Sequence, residues 1–353
     1  MRTVAGRVLS GSSDTLRPVS GQMVVLHRIS ADSSGPVDSV QTSANGAYRF
    51  RYRLDGPRSM YIVSARYAGV AYFTTPLREA TVTSPDGDVS VYDTTSSAFP
   101  LTVRARHVVV APPDAGGLRR VVDVLEVAND STRTLVASPS GRTWRLSLPE
   151  DATQPGSSGG DLPPEAFRFD GTHADLVVPF PPGSRQLVLT YAIPARRTVS
   201  IPLPDAVATL EVLVEGGGGD ATGAGLTRED QVSMEGRTFQ RFTAASVPAG
   251  SSFSVGRVGG GGCIAGRTAL LAVAVLAVAL GIIVGRRAPQ GVTATTTRPA
   301  TETLARQIAA LDHVYAAPER QSGAGGEHYR ARRAALLDQL IAVQAVEDRD
   351  TAT

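Results

Sequence analysis

Between Ala47 and Leu54 the chain alternates without a break: Tyr48, Phe50, Tyr52 and Leu54 are separated by Arg49, Arg51 and Arg53. A period of two puts the aromatic rings on one face and three guanidinium groups on the other, as in a β-strand with one dry and one wet face. Tyr61–Tyr67 repeats the pattern through Tyr61, Val63, Ala65 and Tyr67, and Ala68-Gly69 supplies a tight turn into 70–74. Those residues predict a hairpin, and Asn45-Gly46 marks another turn. Residues 1–84 therefore read as one all-β domain.

A second β region is expected over 98–257. Its candidate strands are 102–110, 119–127, 143–148, 186–193, 198–203, 209–214 and 239–244, each short and bounded by Pro, Gly, Asp or Ser. That punctuation is the mark of a sandwich. Residues 150–165 read as a long polar loop, and the glycines at 216–219 as a break that separates 205–257 as a further lobe, leaving two or three sandwich domains. Gly259–Gly262 then makes 258–267 a flexible tether.

The pattern changes at Thr268–Gly285, eighteen residues without a charge, closed by Arg286-Arg287. At helical rise they span roughly 27 Å, close to the thickness of a bilayer's hydrocarbon core. The expectation is one transmembrane helix over 268–285, followed by a Pro/Thr-rich linker at 286–301. The tail, 302–347, reads as a helical hairpin. Leu304, Ile308, Leu311 and Tyr315 share one helical face, and Tyr329, Leu336, Leu340 and Val343 another. Arginine counts beside the span weakly favour a cytoplasmic tail and an extracytoplasmic N-terminal region. Met1-Arg2-Thr3-Val4 runs straight into a strand pattern with no apolar leader, so that orientation implies a start upstream of Met1.

Composition narrows the chemistry. The net charge of +2 gives no long-range pull on nucleic acid. All 35 basic residues are arginine, which excludes a Schiff-base or P-loop lysine. The one cysteine, Cys263, allows no intrachain disulfide, so the β region must fold on its apolar core alone.

In chain order, Gly6-Arg7-Val8, Pro18-Val19, Gly21, Val24-Val25-Leu26, Thr42, Asn45-Gly46-Ala47-Tyr48-Arg49-Phe50, then Tyr61, Val63 and Ala65 resemble the carboxypeptidase regulatory-like domain. The resemblance implies a transthyretin-like sandwich of about seven strands over 1–84, roughly a fifth of the chain, with glycines at turns and alternating apolar positions facing a second sheet. It implies an accessory, adhesive or carbohydrate-associated module, and it supplies no catalytic residue.

The sequence holds no recognisable catalytic constellation. His27, His107, His173, His313 and His328 have no zinc-motif spacing, and neither a GxSxG elbow nor a cysteine–histidine arrangement is present. Asp86-Gly87-Asp88 offers two carboxylates, short of the six or more oxygens calcium takes. The row Arg49, Arg51 and Arg53 is either an anion-binding surface or a solvated outer face, and the second is the more economical. Arg330, Arg332 and Arg333 could meet lipid headgroups, although Glu327 and Asp338 share their helix. Gly281 and Gly285 form a GxxxG that could support a weak homodimer.

The sequence thus predicts a non-enzymatic, single-pass protein of the bacterial inner membrane, without cofactor or metal. Its sandwich domains would bind a protein or carbohydrate partner, through loops such as 150–165 and 216–226. The alternative is an accessory or assembly subunit of a membrane complex, for cytochrome c maturation or transport, acting through the helical hairpin.

Overall fold

A computed structural model describes residues 1–257 apart from 14, 31–34, 57, 58, 98, 100, 217, 218 and 235, then 304, 305, 308 and 311, and the helix 323–350. The chain divides into two compact units. The first comprises Met1–Thr94, Thr132–Thr134 and Arg298–Thr353, the second Thr95–Ser131 and Leu135–Thr297.

Six strands carry the first unit: β1 (Arg2–Ser10), β2 (Met23–Ile29), β3 (Gly35–Gln41), β4 (Ala47–Tyr52), β5 (Met60–Tyr67) and β6 (Val70–Phe73). One sheet has β1 antiparallel to β4, with Thr81–Val82 and Val89–Val91 parallel to β1. The other runs β3-β2-β5-β6. The expected hairpin forms between β5 and β6 through Ala68 and Gly69, both at positive φ. Tyr48, Phe50 and Tyr52 of β4 are buried while Arg49 and Arg51 are exposed, as the alternation requires. Leu54 departs from the pattern: it lies beyond the strand and is 42% exposed.

The aromatic face of β4 meets Tyr61 of β5, with the rings of Tyr52 and Tyr61 4.6 Å apart. Tyr61 Oη donates to the Arg53 carbonyl at 3.0 Å. Gly6 is required where it stands, because a Cβ there would lie 1.9 Å from the Gly87 carbonyl oxygen. Each large side chain buried in this layer contributes about 1.5–3 kcal/mol.

The opposite face of β5 is covered as well. Ile29 and Ile62 form one apolar cluster with Ala305, Ile308 and Leu311 and with Leu336, Leu337 and Leu340 of α1 (Gly323–Asp350). Leu304 and Tyr329 pack on its border. Of the residues on the expected stripes, Leu304, Ile308, Leu311, Tyr329, Leu336 and Leu340 take part, with Ala305 and Leu337 beside them, while Tyr315 and the side chain of Val343 lie outside the described residues.

That packing corrects the predicted membrane topology. Among the described residues no helix is long and apolar enough to cross a membrane. Helix α1 has the length, 28 residues, but Glu327, Arg330, Arg332, Arg333 and Asp338 charge it. The sandwich and the tail helix share one core, so a topology that puts them on opposite sides of a bilayer is not compatible with this unit. The fold class with a transmembrane helix, the single-pass description and the bacterial inner-membrane location are overturned on these grounds. Residues 268–285, with Gly281 and Gly285, and also 258–267, Cys263 and 286–301, lie outside the described residues.

The second unit contains β7 (Thr102–Pro113), β8 (Leu118–Asn129), β9 (Thr153–Gly160), β10 (Gly183–Pro194), β11 (Val199–Leu203), β12 (Val207–Glu215), β13 (Gly219–Gly223), β14 (Arg237–Val247) and β15 (Ser251–Arg257). The main sheet runs β9-β10-β8-β7-β12-β14, and the β7–β12 pair is parallel. Smaller sheets, β11-β15-β13 and the strands Trp144–Ser147, His173–Leu176 and Phe167–Phe169, contribute to the same apolar core. Val207–Glu215 and Arg237–Val247 thus belong to the sheet that holds Thr102–Pro113.

The stretch 150–165 is not a loop. Thr153–Gly160 pairs with β10 as an edge strand, interrupted by two register shifts. Its glycines and serines hide it from a pattern search, because the backbone alone makes the pairing. The 216–226 stretch likewise contains strand β13.

Candidate functional site

Three polar groupings stand out in the second unit. The deepest lies in the core. Arg106 of β7 and Asp123 of β8 are 1% and 0% exposed and meet in a fork, Nε to Oδ1 at 3.0 Å and NH2 to Oδ2 at 2.7 Å. Arg106 NH1 also donates to the Pro202 carbonyl at 2.9 Å, and Tyr191 Oη to Asp123 Oδ2 at 3.3 Å. Burial pushes the Tyr191 hydroxyl well above its usual range, so it stays protonated. Every strong donor and acceptor here is satisfied internally, and the group ties β7, β8, β10 and β11 together. It is an anchor for the fold, closed to substrate.

The second grouping is on the other face of the main sheet. Glu211 of β12 is 1% exposed. It accepts from His107 Nδ1 at 2.9 Å and from Arg241 Nε at 2.6 Å. Burial pushes its carboxyl up, but the hydrogen bonds and charges of His107 and Arg241 outweigh that and hold it below the ordinary value. Val109, Val122, Val124, Val188, Leu213 and Phe239 form the apolar cluster of this face.

The third grouping is open. Thr227–Arg228 pairs with β14 at Thr243 and Phe242, and Val232–Met234 pairs with its start. Between them lie Glu229, whose amide donates to the Arg241 carbonyl at 2.9 Å, Asp230 and Gln231. They border a depression of about 450 Å³ lined by Arg228, Glu229, Asp230, Gln231 and Gln240. Gln240 is buried and organises the wall: its Nε2 donates to the Glu229 carbonyl at 2.6 Å, and its Oε1 accepts from Arg228 NH2 at 2.8 Å. Arg228 also lies 6.0 Å from the centre of the Phe242 ring. Thr243 Oγ1 donates to Glu229 Oε1 at 3.0 Å. Asp230 and Gln231 are exposed. A fixed guanidinium, two carboxylates and a free carboxamide offer both donors and acceptors, the complement of a hydroxyl-rich or peptide ligand. The run Glu229-Asp230-Gln231 between two short strands is the sequence signal for it.

The residues singled out from sequence scatter. His27 Nε2 and Ser64 Oγ share a hydrogen bond at 2.8 Å in the first unit, and His173 Nδ1 is 3.2 Å from Asp170 Oδ1. His313 and the side chain of His328 lie outside the described residues. Asp88 Oδ1 accepts from the Arg7 amide at 2.8 Å and from Ser84 Oγ at 2.5 Å, while Tyr48 Oη donates to the Gly87 carbonyl. The Asp86-Gly87-Asp88 turn is thus fastened to the sandwich. Among the described residues no group of three or more His, Cys, Asp and Glu is placed to hold a metal ion. Arg49, Arg51 and Arg53 stand exposed in one row.

No family model matches the chain, and no curated protein does. Among solved structures, a substituted variant of the M1 zinc metallopeptidase from Deinococcus radiodurans is similar at 16% identity over 44% of this chain and 42% of that one, with a TM-score of 0.30. The unsubstituted enzyme gives 15% identity, 46% and 43% coverage and the same TM-score. The matched stretch spans less than half of the peptidase, and a likeness of that size carries no argument about chemistry.

Proposed function

We propose that this protein is a non-catalytic binding module whose β-sheet surfaces engage a protein or carbohydrate partner. The observation that carries the reading is the open polar depression at Arg228, Glu229, Asp230, Gln231 and Gln240. Its wall is held by the buried Gln240, while Asp230 and Gln231 face solvent with their hydrogen-bonding capacity unspent. A rigid sheet that presents polar groups on a short excursion is the usual architecture of a recognition surface. The likeness of residues 1–84 to carboxypeptidase regulatory-like modules points the same way.

The rival reading, an assembly subunit acting through its helical hairpin, needs a free apolar stripe on the tail. That stripe is occupied by Ile29 and Ile62, which favours the binding-module reading. The test is binding of the full chain to an oligosaccharide and peptide array, compared with the Asp230→Ala/Gln231→Ala double variant. Both positions are exposed, so thermal stability should be unchanged while the ligands retained by the parent chain are lost. Retention of every ligand by the variant, or an empty array for the parent, would overturn the assignment of this site.

A further inference from the structure

We propose that the outer face of the β1–β4 sheet is a second binding surface, for an acidic polysaccharide. The register puts Arg51 opposite Thr3, Arg49 opposite Ala5 and Ala47 opposite Arg7. Directly opposed residues of an antiparallel pair share a face, so Arg7, Arg49 and Arg51 project from the same side, and the exposed Arg53 follows just beyond the strand end. Successive members of the row are one two-residue step apart, with Arg7 displaced sideways by one strand. At the rise of a strand Arg49 and Arg51 stand about 7 Å apart. Such regular spacing suits a linear ligand that carries charge at intervals, where a single ion would use only one or two of the positions.

The charge on this row is uncompensated. Several exposed or half-buried arginines elsewhere are paired with carboxylates, as in Arg28–Asp55, Arg104–Asp130, Arg145–Asp175, Arg197–Asp151 and Arg237–Glu215. Among the described residues none of the four row members has an acidic partner within ion-pair distance. The nearby Asp88 carboxylate is engaged by the Arg7 amide and Ser84.

The neighbours select among polyanions. Guanidinium forks match planar carboxylates two bonds at a time, and the Thr3 and Thr81 hydroxyls, paired in register beside Arg51, can serve sugar hydroxyls. The aromatic rings of β4 all point into the core, so the face has no platform on which bases could stack, as single-stranded nucleic acid requires. Beside Arg49 and Arg51 the face presents Thr3, Ala5, Ala47 and Thr81, none of them long and apolar enough to enter a lipid surface. This proposal concerns a different unit from the depression at Asp230 and stands or falls separately from it.

The test uses the full chain with four probes at low salt: polygalacturonate, neutral dextran, oligo(dT), and vesicles containing phosphatidylglycerol. Polygalacturonate should bind, weaken steeply as salt rises and exceed the other three. Arg49→Gln/Arg51→Gln/Arg53→Gln should reduce its affinity at least about tenfold, because three charge contacts are lost together. Arg66→Gln/Arg120→Gln/Arg196→Gln removes the same charge from exposed positions elsewhere and should change affinity less than about threefold, the effect of net charge alone. Equal losses in the two triple variants overturn the proposal. Failure of polygalacturonate to bind, dextran bound as well as polygalacturonate, or tighter binding of oligo(dT) or vesicles does so too. Should the first triple variant melt early, Arg51→Gln alone should still weaken binding, and an unchanged affinity counts against the surface.

Discussion

The Arg106–Asp123 pair shows what a single residue can demand of this fold. Its forked hydrogen bonds lie in a core from which water is excluded, so the two charges compensate each other and little else can. Asp123→Ala leaves a buried guanidinium with only the neutral Pro202 carbonyl and Tyr191 hydroxyl as acceptors and should cost about 3–5 kcal/mol in urea unfolding followed by Trp144 fluorescence. Replacing both, as Arg106→Met/Asp123→Leu, should restore most of that loss, since a well-packed apolar pair needs no compensation. A cost below about 1 kcal/mol for Asp123→Ala would mean that water reaches the pair. The anomaly was visible in the sequence, where Asp123 interrupts the apolar run Val121-Val122-Asp123-Val124-Leu125. Its partner was not legible. Two register shifts separate β7 from simple pairing with β8, and no periodicity reports a bulge.

At the scale of elements, the strands with one wet face were readable and the use made of their second face was not. Alternation in β4 separates aromatic from arginine because one side of its sheet is dry and the other is solvated. In β5 the run Tyr61-Ile62-Val63-Ser64-Ala65 is buried on both sides, and Ile62 belongs to the face that the tail covers. The tail's stripes could be read from their spacing, but their partner is some 240 residues away in sequence, beyond the reach of any local pattern. Docking can be checked by a double-mutant cycle. Ile62→Ala and Leu336→Ala should each destabilise the first unit by about 2–4 kcal/mol, as cavity-forming truncations do. Made together they should be non-additive by at least about 0.5 kcal/mol, because they line one cluster. Strict additivity would mean that strand and helix do not share a core. The polar depression escaped the sequence reading for a related reason: Gln240 is an unremarked residue until β14 brings it under Glu229.

At the scale of the whole molecule, the ionisable groups divide the chain by its response to acid. Among the described residues the carboxyls held below their ordinary values, Asp130, Asp170, Asp175 and Glu211, all lie in the second unit. Asp130 is held down by Thr102 and Arg104, and Asp175 by Arg145. These two and Asp170 are near the surface, where solvent screens the gain, so buried Glu211 should dominate. A depressed carboxyl contributes its full stabilisation above the ordinary value, 4.5 for a glutamate, and loses it as pH falls through the folded value. Asp205 works the other way: burial raises it, so it withdraws stability as pH rises through its folded value. Trp144 is the one tryptophan of the chain and belongs to the second unit. It hydrogen-bonds Asp205, so its intensity can change by local titration alone and the denaturant midpoint is the sounder readout. That midpoint should fall between pH 7 and about pH 3.5, as linkage requires of a depressed buried carboxyl. Glu211→Gln should lower it at pH 7 and remove most of the further fall on acidification, since the amide has no proton to gain. An acid-independent midpoint in the parent chain, or an undiminished fall in Glu211→Gln, would show that the charge balance around His107 and Arg241 does not govern the acid limit of this unit.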